Sequence, residues 1–158
     1  MRLAELAAKK RVPIVLMSNQ RDKGAYDAIA GRDTALYQDV MSEVISTLRR
    51  GIGVALEAGV PVENIIVDPG IGFGKTWQQD LEIVRRLREL KELGRPILIG
   101  TSRKSLIKMI LNLPASERVE GTAATVAISI ASGADMVRVH DVKQMVRVCR
   151  MADAIVRT

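Results

Sequence analysis

The sequence predicts an α/β fold whose parallel strands form part of a (β/α)-barrel. Short apolar runs at 12–17, 65–67, 97–99 and 136–139 are mostly β-branched and lack polar alternation, as strands covered on both faces do. Helical patterns separate these runs, and that order calls for right-handed parallel crossovers in one domain. Polar residues then fall at the carboxyl ends of different runs: Ser18-Asn19-Gln20, Asp68, Thr101-Ser102-Arg103-Lys104, and Arg138 with His140. A doubly wound sheet also fits the strand–helix order, but it concentrates its ligand groups at a switch point. A barrel brings all its carboxyl ends to one face and accounts better for the scatter, although four strands are half of the usual eight.

Residues 2–10 interleave charge with apolar side chains, which is not a signal peptide, and they read as the tail of a helix begun earlier. Over 33–58, Leu36, Val40, Val44, Leu48, Ile52 and Leu56 recur every fourth residue, with Asp33 as N-cap and Gly59 just past the end. Leu81, Val84, Leu87 and Leu90 mark a further helix ending near Gly94, before Pro96. A short helix from Ser105 to Leu111 is broken by Asn112-Leu113-Pro114. Residues 121–132 are apolar nearly all round, as a helix packed on several sides would be. A last helix starts near Val142 with Met145, Val148, Ala152 and Ile155 on one face. With no internal repeat, low-complexity tract or linker, 1–158 reads as a single domain.

The 47% hydrophobic and 27% charged content is that of a soluble globular chain. Aromatic residues make up only 3%, so the core is aliphatic, and this argues against a base-stacking platform. The net charge of +6 is spread along the helices without a basic run or nucleic-acid motif, so no nucleic-acid partner is expected. Such a charge reads either as a solvated surface or as attraction for an anionic small molecule. Cys149 is the only cysteine, which precludes an intrachain disulfide and points to a reducing, cytoplasmic compartment. It reads as a small helix residue, not a nucleophile. No stretch is long and apolar enough to span a bilayer, so no membrane association is expected.

The most informative stretch is Asp68-Pro69-Gly70-Ile71-Gly72-Phe73-Gly74-Lys75, directly after the second predicted strand. Alternating glycines let a ligand approach the main chain, and a carboxylate is rarely buried without a partner. The segment therefore reads as a ligand-facing loop. Gly74-Lys75-Thr76 invites a phosphate-loop reading, but Pro69 stands where that motif needs glycine. The dinucleotide fingerprint fails on spacing, and His140, the sole histidine, leaves no histidine pair for a metal.

Three segments together resemble the dihydropteroate synthase family of pterin-binding enzymes: 68–75, Gly100-Thr101-Ser102-Arg103-Lys104-Ser105, and Arg138-Val139-His140-Asp141-Val142. Their order and spacing match that family's sixth, seventh and eighth barrel strands, and Pro13-Ile14-Val15-Leu16-Met17 resembles the fifth. Where the family has a His-Met-Gln-Gly type sequence, this chain has Ser18-Asn19-Gln20-Arg21. The resemblance implies a partial TIM (β/α)8 barrel, equivalent to strands five to eight and their helices, truncated at its N-terminus inside the fourth helix.

It also implies an activity: joining 6-hydroxymethyl-7,8-dihydropterin pyrophosphate to p-aminobenzoate, with release of pyrophosphate, in folate biosynthesis. Asp68 would accept two hydrogen bonds from the pterin's amino-pyrimidinone edge, with Met17, Gly100, Lys104 and Arg138 completing the pterin set. Arg138 and His140, two apart on an extended segment, would hold the leaving pyrophosphate, and with Lys104 form the catalytic set. The alternatives for that pair are an Arg138–Asp141 surface pair and a core histidine. Gly72, Phe73, Arg103 and Ser105 would border the aminobenzoate. The family uses magnesium, but the strand bearing its ligand region, with the Asn-x-Thr-x-Asp-Ser-Phe-Ser-Asp type signature, has no counterpart here.

Weak or absent synthase activity is therefore expected of the chain alone, with a homodimer or pairing with an N-terminal half as its assembly. Two other functions fit less well. A pterin-dependent methyltransferase would share the Asp68 region but usually lacks the Ser-Arg-Lys and Arg-x-His elements. A non-enzymatic half-barrel interaction module would pair through open sheet edges.

Overall fold

A computed structural model describes residues 3–19 and 39–157. In chain order the elements are α1 (Leu3–Lys10), β1 (Ile14–Met17), α2 (Val40–Glu57), β2 (Ile65–Asp68), α3 (Trp77–Arg85), β3 (Leu98–Ile99), α4 (Ser105–Leu111), α5 (Val119–Ala131), β4 (Met136–Val137) and α6 (Val142–Val156). Short 3-10 turns at Val62–Asn64, Leu87–Leu93 and Ala115–Glu117 precede or follow helices.

The four predicted runs all become strands, and all pair in parallel. β1 pairs with β2 in the register Ile14↔Ile65 to Met17↔Asp68, and β3 with β4 through Leu98↔Met136 and Ile99↔Val137. One bridge, Val67↔Ile97, joins the two ladders. Strands adjacent in sequence are thus adjacent in space, the order expected of a section of barrel. The strands are shorter than the apolar runs. The Val12 N–H turns back to the Ala7 carbonyl at 3.2 Å and Pro13 has no N–H, so the first ladder starts at Ile14.

Asp33 and Leu36 lie outside the described residues. Within them, α2 is capped by Asp39, whose carboxylate accepts the Met41 N–H at 3.0 Å and the Ser42 hydroxyl at 2.7 Å. Arg86 reaches the same carboxylate at 2.8 Å and, with Ser42, holds it down to about 2. Leu56 departs from the expected buried stripe: it is exposed, while Ala55 is buried. A four-residue spacing outruns the 3.6-residue turn, so the stripe rotates off the core by its end. Gly59 does follow the helix at φ +86°, and Gly94 stops the Leu87–Leu93 turn at φ +63°.

The main core joins Val44 and Leu48 of α2, Val67 of β2, Ile83 of α3, Ile97 beside β3 and Ile99 within it, and Leu106 of α4. A second cluster packs α1 and α2 over Ile14 and Ile65. A third joins Val126 and Ile130 of α5 to Met145 and Ala152 of α6, with Val137 and Val139 beneath. Val148 packs on this cluster, but Ile155, expected on the same face, is exposed. Cys149 is half-buried there and burial pushes its thiol up, the reverse of an activated nucleophile. α4 lies close on α5 at Gly121, where a Cβ would stand 2.4 Å from Ile107. Among the described residues no helix is long and apolar enough to cross a membrane.

Candidate functional site

β2 delivers Asp68 to the carboxyl edge of the sheet, in register with Met17. Asp68 is buried, and its Oδ1 accepts the Gly70 N–H at 2.7 Å. Burial pushes its carboxyl up, opposed by that N–H and by the charges of Lys104, Arg138 and Lys75. Beyond Pro69, Gly70, Gly72 and Gly74 all take φ between +72° and +74°. Gly70 is required for space as well, since a Cβ there would lie 2.0 Å from the Ser18 carbonyl oxygen.

Two residues that sequence reasoning did not assign hold this loop from within. Lys75, weighed only as a phosphate-loop lysine, is buried and donates to the carbonyls of Ser18 (2.9 Å), Gly70 (3.1 Å) and Phe73 (3.4 Å). Asp80 is fully buried in α3, and both its oxygens accept the Gly72 N–H at 3.0 Å. In sequence Asp80 is an ordinary first-turn acid behind the Thr76–Gln79 capping box, and nothing in that pattern signals its burial.

β3 leads through Gly100 into the second loop. Ser102 is buried, and its hydroxyl accepts the His140 N–H at 3.2 Å and lies 2.9 Å from His140 Nδ1. Arg103 is held in the left-handed region at φ +58°. Its N–H donates to Thr122 Oγ1 at 3.2 Å, and its carbonyl accepts from the buried Arg118 at 2.7 Å. Lys104 occupies the N-cap position of α4. Its Nζ donates to the Ile71 carbonyl at 2.5 Å and lies 4.9 Å from the Phe73 ring centroid, joining the second loop to the first.

Past β4, Val137 and Val139 pack on the third cluster while Arg138 and His140 are exposed. Neither alternative for this pair is realised. Asp141 pairs with Arg103 through Nε at 3.0 Å and a terminal nitrogen at 2.5 Å, and His140 is not a core residue. The Arg103 guanidinium holds the Asp141 carboxyl below its usual range.

A cleft of about 560 Å³ opens between the second loop and the segment after β4, lined by Gly100, Ser102, Arg103, Lys104, Ala115, Arg138, Val139 and His140. It gathers five of the residues singled out from sequence: Gly100, Arg103, Lys104, Arg138 and His140. Asp68 does not line it but lies within reach of the Lys104 and Arg138 charges, and the half-buried Phe73 adjoins through Lys104. Gly72 also lies against Lys104, where a Cβ would meet its Cδ at 3.5 Å. Met17 is half-buried beside Asp68. Ser105 is exposed at the start of α4 and does not line the cleft. With three basic side chains against Asp141, the cleft is suited to an anion. Among the described residues no three His, Cys, Asp or Glu side chains group as a metal ion would require.

A family model described as a pterin-binding enzyme matches residues 1–140. The chain is 49% identical over 156 residues to dihydropteroate synthase of Clostridium beijerinckii, covering 98% of this chain and 54% of that protein. It is 44% identical over 154 residues to dihydropteroate synthase of Bacillus subtilis, covering 98% and 50%. Among solved structures, dihydropteroate synthase from Clostridium difficile in the presence of pteroic acid superposes with a TM-score of 0.87 at 40% identity, over 99% of this chain and 55% of that one. The Xanthomonas albilineans dihydropteroate synthase with 4-aminobenzoic acid gives 0.84 at 33% identity, over 96% and 54%. The chain spans about half the length of the curated relatives it matches.

Proposed function

This chain belongs to the pterin-binding enzyme family, and on that premise we propose that it forms one wall of a dihydropteroate synthase site, equivalent to barrel strands five to eight. Asp68 takes the amino-pyrimidinone edge of the pterin. Its carboxylate offers about four lone-pair sites, so capacity remains beyond the Gly70 N–H. Met17, Gly100, Lys104 and Arg138 surround the ring system. Gly72, Phe73, Arg103 and Ser105 border the aminobenzoate.

In the reaction the aminobenzoate nitrogen forms a bond to the pterin methylene carbon and loses a proton. The carbon–oxygen bond breaks, and its electron pair leaves with pyrophosphate. Arg138 and His140 hold that leaving group, and their donors stabilise charge as it develops. With His140 Nδ1 engaged by Ser102, Nε2 is the ring nitrogen left to meet the anion. The family's magnesium finds no carboxylate or histidine cluster among the described residues, and no step here depends on it. A dimer through α5 and α6 is part of the same proposal, supported by Ile128 (51%), Met151 (63%) and Ile155 (66%) standing exposed on those helices. So is a cytoplasmic setting, which rests on the lone Cys149.

The observation that carries this reading is a cleft that gathers Lys104, Arg138 and His140, two of whose charges act on the buried Asp68 carboxylate. Calorimetric titration with a dihydropterin, with and without a separately supplied N-terminal half of the enzyme, tests it. Binding that disappears in Asp68→Asn supports the reading. Binding indifferent to both Asp68→Asn and Arg138→Ala would sink it. The chain alone is expected to turn over weakly or not at all, and a normal rate would count against a half-site.

A further inference from the structure

We propose that Lys75 and Asp80 are positioning residues: from the buried side of the glycine loop they fix the Ile71 carbonyl and the Phe73 ring where Lys104 meets them. Neither residue lines the cleft. Lys75 gathers three carbonyls, two from the loop and one, Ser18, from the end of the neighbouring strand. Asp80 takes the Gly72 N–H with both oxygens. Ile71 lies between the two anchored glycines, its side chain fully buried and its carbonyl accepting from Lys104. The glycines permit the loop's positive φ angles but do not select one path, since glycine populates both signs of φ about equally. The buried ammonium and carboxylate make the selection.

Stability alone does not account for the pair. Burying an ammonium and a carboxylate costs both charges their hydration, and apolar residues of similar volume often serve stability as well. That cost is visible here: burial pushes Asp80 up to about 6 and Lys75 down to about 8. Asp80 is acted on by the charges of Lys75 and Lys104, and Lys75 by Asp80, Asp68 and Lys104.

An amide-resolved NMR titration of the chain between acid and neutral pH tests the inference. The Gly72 N–H resonance should move with a midpoint of about 6 in the wild type and stay flat in Asp80→Asn. In Lys75→Met the midpoint should rise, because a charge favouring the carboxylate is gone. A Gly72 resonance that is flat in the wild type, or that titrates unchanged in Asp80→Asn, overturns the proposal. If Asp80→Asn does not fold, an unshifted midpoint in Lys75→Met overturns it instead.

A second arm rests on reading the cleft as a pterin site. Both variants should weaken dihydropterin binding roughly tenfold, and Asp80→Asn should lose the pH dependence of that affinity near 6. Variants that bind as tightly as the wild type with an unaltered pH profile overturn the positioning role. If the wild type binds no dihydropterin while Gly72 responds as expected, the cleft reading fails and the positioning of the loop stands.

Discussion

Arg103 and Asp141 form a two-point ion pair between the loop after β3 and the start of α6, with nitrogen–oxygen distances of 3.0 and 2.5 Å. The pair orients a guanidinium at the rim of the cleft on a residue whose own backbone sits at φ +58°. The left-handed region suits glycine and disfavours any residue with a Cβ. Arg103→Gly and Arg103→Ala both remove the ion pair, but only alanine keeps the backbone penalty. The glycine variant is therefore expected to have the higher urea midpoint. Equal midpoints would show that the turn holds without strain.

Lys104 is the point at which the two loops touch. Lys104→Met keeps the apolar stem and removes both the hydrogen bond to Ile71 and the cation over Phe73. On the proposed reading of the cleft, dihydropterin affinity should fall by about tenfold or more, with little change in the melting midpoint. A large loss of stability with unchanged affinity would mark the lysine as a structural strut only.

Two glycines make opposite predictions for the same substitution. Gly70→Ala forces a Cβ to within 2.0 Å of the Ser18 carbonyl at φ +72°, and should destabilise by roughly 3 kcal/mol or more. Gly53 lies inside α2 with nothing within 4 Å of a built Cβ, so Gly53→Ala should stabilise by about 0.5–1 kcal/mol. Urea denaturation of the two variants reads both signs at once.

Asp80 makes stability depend on pH. Its folded pKa of about 6 lies above the ordinary 3.8, so its contribution is fully present below 3.8 and is lost as pH rises through 6. The span corresponds to roughly 3 kcal/mol as an upper bound. Relative to Asp80→Asn, the wild type should therefore lose stability between pH 4 and 6. A constant difference across that window would show that Asp80 titrates as it does when unfolded. Lys75 acts at the other end: its folded pKa is depressed to about 8, so its contribution is present above 10.5 and lost as pH falls through 8.

Much of this was legible in the sequence because periodicity and strand-end chemistry report on faces and edges. Ile65, Val67, Ile97 and Ile99 read as buried strand residues and are so. Lys104, Arg138 and His140 read as one cluster because parallel strands deliver their carboxyl ends to a common edge. Leu56 misled because a four-residue spacing only approximates a helical turn. Asp80 and Lys75 were invisible for a different reason. Their partners are backbone atoms of a folded loop, and no residue pattern records where a carbonyl will point. Arg118 was missed in the same way, since its guanidinium serves the carbonyls of Leu113 and Arg103.

The sheet has a seam. Its two ladders meet at the single bridge Val67↔Ile97, and beyond that bridge, toward the carboxyl edge, the contact from the Lys104 side chain to the Ile71 carbonyl crosses the gap. A side chain is a compliant tie where a ladder of amides would be stiff. Across that gap the two loops are thus tied by a four-carbon stem whose rotatable bonds let it swing. Cutting that tie should leave both ladders intact and let the glycine loop and the second loop drift apart, as two halves of a clasp do when the pin is drawn.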